Sequence, residues 1–232
     1  MRIIGLTGSI ASGKSTVSAM LREIGAPVID ADAIVHDLQR PGTPVFEAIV
    51  REFGPAVLLP DGSLDRRALG QIVFADPDRR RALEAIVHPA VRAEIWRQVE
   101  RHRRDGYPAV VLDIPLLYES GWDRLVDEVW VVYVDPETQR ARLMARSGLT
   151  PAEAEARIAA QMDLEEKAQR ADRVIDNRGS LAETRAQVVA AWEAVLRGPG
   201  GGRDVNSVGG ALPDSGPEGD AGPAGERRAG KT

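Results

Sequence analysis

Residues 8–15 read Gly-Ser-Ile-Ala-Ser-Gly-Lys-Ser, two glycines with four residues between them, followed by Lys and Ser. Few folds can use this octapeptide. Its glycines let the backbone curl until successive N–H groups point inward at an anion, and a helix starting at its end adds a positive dipole. Lys14 then reaches toward terminal phosphates, and Ser15 offers a hydroxyl to magnesium. Such a loop needs a strand before it and a helix after it. Ile3, Ile4 and Leu6 supply the apolar strand, and residues 16–24 make a helical stretch ended by Gly25. The same spacing recurs at 225–232 with neither strand nor helix around it, so only the first copy is read as a phosphate site.

Apolar runs of strand length also fall at 27–30, 109–114, 129–134 and 173–176. Val110-Val111-Leu112 and the run from Val129 to Val134 are almost continuously apolar, as in parallel strands covered on both faces. Helix starts are legible between them. Asp135 precedes Pro136, and the pairs Thr150/Glu153 and Ser180/Glu183 have capping-box spacing. Strands alternating with capped helices predict an α/β fold on a parallel five-stranded sheet flanked by helices, the P-loop NTPase type.

The interval from Asp30 to Ala109 is too long for one crossover helix, which takes about a dozen residues. Helical stretches fill it at 45–53, 65–74, 78–87 and 90–104, with His88-Pro89 read as a break between the last two and, less favoured, as a ligand contact. The expected organisation is a core of 1–32, 109–138 and 171–197, an inserted helical substrate subdomain over 33–108, and a helical lid over 139–165. Residues 198–232 hold 11 Gly and 4 Pro and almost no large apolar side chains, so this tail is expected to be disordered.

Composition narrows the function classes. No cysteine is present, which excludes disulfides, thiolate metal sites and a cysteine nucleophile, and three scattered histidines suggest no imidazole metal site. Thirty basic against 35 acidic residues leave a net charge of −5, without the basic stripe that a nucleic-acid binder needs. No stretch approaches the roughly 20 apolar residues of a membrane span, and the N-terminus lacks the layout of a secretory signal. The expectation is a cytoplasmic enzyme with no nucleic acid, membrane or obligate protein partner.

Asp30 and Asp32 follow the second strand, at the edge where open parallel sheets bind ligands. Asp32 could accept the proton of an attacking hydroxyl, or cap a helix starting at Ala33. Asp113 ends the third strand, as a metal-site carboxylate would, or caps a turn, and the apolar residues 114–117 could line a pocket. Arg140, Arg142 and Arg146 could clamp phosphates from the lid or simply face solvent. Trp96, Trp122, Trp130 and Trp192 are read as core or groove residues.

Together these residues resemble the dephospho-coenzyme A kinase family. The likeness runs through 5–16, Val28-Ile29-Asp30-Ala31-Asp32, Phe53-Gly54, 61–66, Phe74-Ala75-Asp76-Pro77, His88-Pro89, 114–119, 139–146, Gln161, Ala171-Asp172 and 174–177, and spans about residues 1–196. It implies transfer of the ATP γ-phosphate to the ribose 3′-hydroxyl of dephospho-CoA, with Mg2+ as cofactor. It implies ATP contacts from Gly8, Ala11, Ser12, Gly13, Lys14, Ser15 and Thr16, acceptor contacts from Asp32, His88 and Leu117, and magnesium at Ser15 and Asp113. Asp32 is implied as the base, Lys14 as a solvent-facing phosphate ligand whose loss leaves the fold intact, and Arg142 as the lid arginine on the transferring group. Ser9 and Ala11 stand where the family often has glycine, and some members fill the Asp113 position with an apolar residue. The tail from Gly198 has no evident family counterpart.

Overall fold

In the computed structural model, which describes residues 1–198, the apolar runs become five parallel strands. They are β1 (Arg2–Gly8), β2 (Val28–Asp30), β3 (Ala109–Asp113), β4 (Glu128–Tyr133) and β5 (Arg173–Asp176), in the order β2-β3-β1-β4-β5. Their side chains alternate between two cores. Ile3, Val110, Leu112, Val129 and Val131 enter one, while Ile4, Leu6, Val111, Trp130 and Val132 enter the other. Burial on both faces is what makes the strands read as continuous apolar runs. Helices α1 (Lys14–Glu23) and, late in the chain, α9 (Leu181–Leu196) close the second core with Val17, Leu21, Val188 and Trp192. The expected tail and the second octapeptide lie, from residue 199 on, outside the described residues.

Strand register aligns the functional ends. Leu6 stands beside Asp113, Asp30 beside Asp113, and Gly8 beside Val132. The phosphate loop, Asp30 and Asp113 therefore leave the sheet at one edge.

Between β2 and β3 lie α2 (Ala31–Leu38), α3 (Pro44–Phe53), α4 (Arg66–Ala75) and α5 (Pro77–Arg104). Thr43, Asp65 and Asp76 start the last three by accepting first-turn N–H bonds. These helices build an apolar cluster of their own from residues that include Phe46, Ile49, Phe53, Leu69 and Val87. One expectation fails here: α5 runs unbroken through Pro89 for 28 residues. The proline ring is exposed, and Val87, Ile95 and Val99 are buried on the inner face, so packing holds the helix across the missing hydrogen bond. After β4 come α6 (Pro136–Ser147), a left-handed Gly148, α7 (Pro151–Ala159) and α8 (Leu164–Arg170). The sequence reading contained no counterpart of α8.

An interior proline costs a helix about 3 kcal/mol, and removing one loosens the unfolded chain by about 0.4–1 kcal/mol. Pro89→Ala is therefore expected to raise stability in urea unfolding by about 2 kcal/mol, and a loss of stability would contradict a continuous α5.

Candidate active site

Helices α2 to α9 each begin on a side-chain cap, from Asp30 through Ser180, whereas α1 begins on Gly13 with none. The first N–H groups of α1 have no intrahelical partner and are left for an anion. Gly13 is required twice over. Its φ of 91° lies in the left-handed region, and a Cβ there would overlap the Asn177 amide. Ala11 adopts a φ of 61°, so this position carries strain of about 1–2 kcal/mol that a glycine would not.

The loop is braced from outside. Asn177, after β5, donates from Nδ2 to the Ser12 carbonyl (2.8 Å) and accepts at Oδ1 from the Thr184 hydroxyl (3.0 Å). Gln161 accepts from the Ile10 N–H and Gln139 donates to the Ile10 carbonyl, both at 2.9 Å. Ser12 is fully buried beneath Gly8, and neither it nor Thr16 lines the cavity above.

Lys14 is not solvent-facing. Its ammonium pairs with the Asp113 carboxylate, the two side chains being 17% and 4% exposed. Asp113 therefore acts here as the counter-ion of the loop lysine, and the expectation of a solvent-facing Lys14 is corrected. Asp30 rather than Asp32 caps α2, accepting from the Ala33 N–H at 3.0 Å and from Arg22 at 3.3 Å. That leaves the Asp32 carboxylate uncommitted in the first turn. Loss of solvation on the crowded cleft floor pushes Asp32 above the ordinary aspartate value; Lys14 opposes this, Asp30 and Asp113 reinforce it, and His36 opposes it.

Two cavities meet at Asp32. The larger, about 790 Å³, is lined by the loop, Lys14, Ser15, Arg142 and Arg146. The smaller, about 470 Å³, lies between α2 and α5 and includes His88, Arg92, Leu116 and Trp122. Asp32, Pro115 and Gln161 belong to both walls. Leu117 does not reach either; it is wholly buried against Gly5, and its exposed neighbour Leu116 lines the second cleft instead. Arg142 donates to the Asn177 carbonyl at 3.0 Å, whereas Arg140 pairs with Glu155 on α7, at 3.1 Å.

The sequence reading missed the support under the junction. Lys167, fully buried on α8, pairs with Glu119 at 2.8 Å and donates to the Pro115 carbonyl at 3.4 Å, and that carbonyl also accepts from Thr7 at 2.9 Å. Glu119 in turn accepts from the Met162 N–H at 3.1 Å. Burial is the largest influence and would raise the Glu119 carboxyl, but the bond from Lys167, the backbone N–H bonds and the Lys167 charge together hold it below its ordinary value. One signal was present: Lys167 stands three residues after Leu164, on the same buried helix face.

The model of the family described as dephospho-CoA kinase matches residues 2–183. A dephospho-CoA kinase of Symbiobacterium thermophilum is 75% identical, the match covering 99% of each chain. It therefore extends into the tail, contrary to the expectation that the tail has no counterpart. A dephospho-CoA kinase of Geobacter metallireducens is 53% identical over 83% of this chain and 96% of its own. Among solved structures, a Thermus thermophilus protein superposes with TM-score 0.75 at 45% identity, over 85% of this chain and 98% of that one. A dephospho-CoA kinase from Campylobacter jejuni superposes with TM-score 0.65 at 33% identity, over 84% and 97%.

The Lys14–Asp113 pair generates a stability prediction. Lys14→Met strands a buried carboxylate and is expected to cost about 3 kcal/mol in denaturant unfolding. Adding Asp113→Asn should restore most of the loss, and a Lys14→Met variant as stable as its parent would refute the pairing.

Proposed function

The chain belongs to the dephospho-CoA kinase family, and on that premise we propose how its two clefts divide the reaction. The activity is ATP-dependent phosphorylation of dephospho-CoA, the final step of coenzyme A synthesis. The observation that carries the division is that Asp32 is common to both cavity walls. ATP puts its triphosphate in the larger cleft, against the uncapped start of α1. The acceptor enters the smaller cleft from the helical insertion and brings its ribose 3′-hydroxyl to Asp32.

Each side chain then has one task. Lys14 exchanges its pairing with Asp113 for the β- and γ-phosphates, so Asp113 holds the ammonium ready between turnovers. Asp32 takes the proton of the hydroxyl as its oxygen attacks phosphorus in line. Arg142 and Arg146, on the same face of α6, offset charge on the transferring group when 139–165 acts as a lid. His88 contacts the acceptor.

Magnesium suits the oxygen donors present: Ser15 is exposed at the helix start, and the Asp32 and Asp113 carboxylates both lie in the field of Lys14. Among the described residues no group of three or more His, Asp or Glu side chains could hold a metal. The ion would therefore rest on Ser15, substrate phosphates and water, with a carboxylate as neighbour. When bound, it supplies neutralisation of phosphate charge. Among the described residues no helix is long and apolar enough to cross a membrane.

Incubation with ATP and dephospho-CoA is expected to put phosphate on the 3′-oxygen of the ribose, as phosphorus–carbon coupling to the ribose carbons in NMR reports; phosphate on another oxygen would overturn the assignment of the acceptor cleft. Asp32→Asn should lower kcat by about 10²–10⁴-fold and leave KM for ATP nearly unchanged. Its melting temperature should not fall, because the carboxylate it removes sits where charge is disfavoured. In the unaltered protein the base must be ionised, so kcat/KM should decline toward acid at a pH above the ordinary aspartate range. An equal loss of ATP affinity in the variant would make Asp32 structural.

A further inference from the structure

The smaller cleft holds an arginine with no other task. Arg92 lines it from α5, one helical turn beyond His88. Its guanidinium carbon sits 5.5 Å from the centroid of the Trp122 ring, and Trp122 is itself stacked on Trp96 at 6.1 Å. Among the described residues Arg92 makes neither an ion pair nor a hydrogen bond. Elsewhere on α5, Arg79 pairs with Glu52, Arg97 with Glu94 and Arg103 with Glu100. A half-buried guanidinium oriented by an aromatic face, with its N–H edge unspent, is a receptor for a planar or tetrahedral oxyanion.

The acceptor supplies such a group. Resting on the assignment of the acceptor to this cleft, the 5′-diphosphate of dephospho-CoA must enter it whenever the 3′-hydroxyl stands at Asp32. The charges of the cleft are divided to match. Asp32, at the junction, would repel a diphosphate and accept a hydroxyl proton. Among the described residues Arg92 is the one permanently cationic side chain on this wall, since Lys14, Arg142 and Arg146 line the other cavity. The geometry points to Arg92, seated on Trp122, as the residue that reads the diphosphate of the acceptor and so sets which end of the molecule reaches Asp32. Charge-assisted bonds from a guanidinium to phosphate favour this pairing over contact with the uncharged pantetheine arm.

Steady-state kinetics on the full chain test it with Arg92→Ala, the size-matched Arg92→Gln, and Arg92→Lys. The two neutral variants are expected to raise KM for dephospho-CoA about 10- to 100-fold, the range of a charged hydrogen bond, with KM for ATP within two-fold. Arg92→Lys should recover part of the loss. A packing role would not change the response to salt, so ionic strength separates the two. KM for dephospho-CoA should climb with added salt in the parent and much less in Arg92→Ala. An unchanged KM, an equal rise for ATP, or parallel salt slopes would overturn the assignment. Failure of the unaltered protein to phosphorylate dephospho-CoA at all would instead remove the reading beneath it, and that measurement precedes any variant.

Discussion

Parallel pairing is the constraint from which the site follows. Because all five strands run the same way, β1, β2 and β3 end at one edge, and the register brings Gly8, Asp30 and Asp113 there together. An edge so rich in polar groups, walled by two apolar cores, must satisfy its own donors and acceptors. It does so by mutual pairing. Lys14 neutralises Asp113, Asn177 ties down the Ser12 carbonyl, and the Pro115 carbonyl is shared by Thr7 and Lys167. The result is a loop held open in a binding shape before any ligand arrives, which is how an electrostatic site avoids reorganisation during reaction.

The same bracing links the loop to the helices that follow β4. Gln139 and Gln161 grip opposite sides of the Ile10 peptide, and Met162 reaches back to Glu119, whose partner Lys167 supports the wall common to both clefts. Movement of 139–165 is thereby coupled to both cavities at once. As the proposed lid, this segment would act on nucleotide and acceptor together and exclude water from the space around Asp32.

Local chemistry was legible in the sequence and tertiary chemistry was not. The phosphate loop, the helices after Asp135, Thr150 and Ser180, and the helical interval between β2 and β3 depend on neighbouring residues and read correctly. Pro89 looked like a break because local propensity ignores the apolar packing that keeps α5 continuous through it. Leu117 and Leu116 are indistinguishable as sequence, and only the turn after β3 sends the first against Gly5 and the second into the cleft. Asp32 was read as a base or as the cap of a helix starting at Ala33, and only the turn into α2 makes Asp30 the cap. Lys14 seemed solvated because its partner is 99 residues away, and buried Lys167 also finds its partner, Glu119, on a remote stretch of the chain.

The central claim is that nucleotide and acceptor occupy adjoining clefts together and exchange phosphate directly at Asp32. The stereochemistry at phosphorus tests this most directly. With ATP made chiral at its γ-phosphorus by sulfur and oxygen isotopes, a single in-line displacement onto dephospho-CoA inverts configuration, and inversion is the predicted result. Retention would mean two successive displacements through a phosphorylated side chain, and would contradict a shared junction at which the two substrates meet.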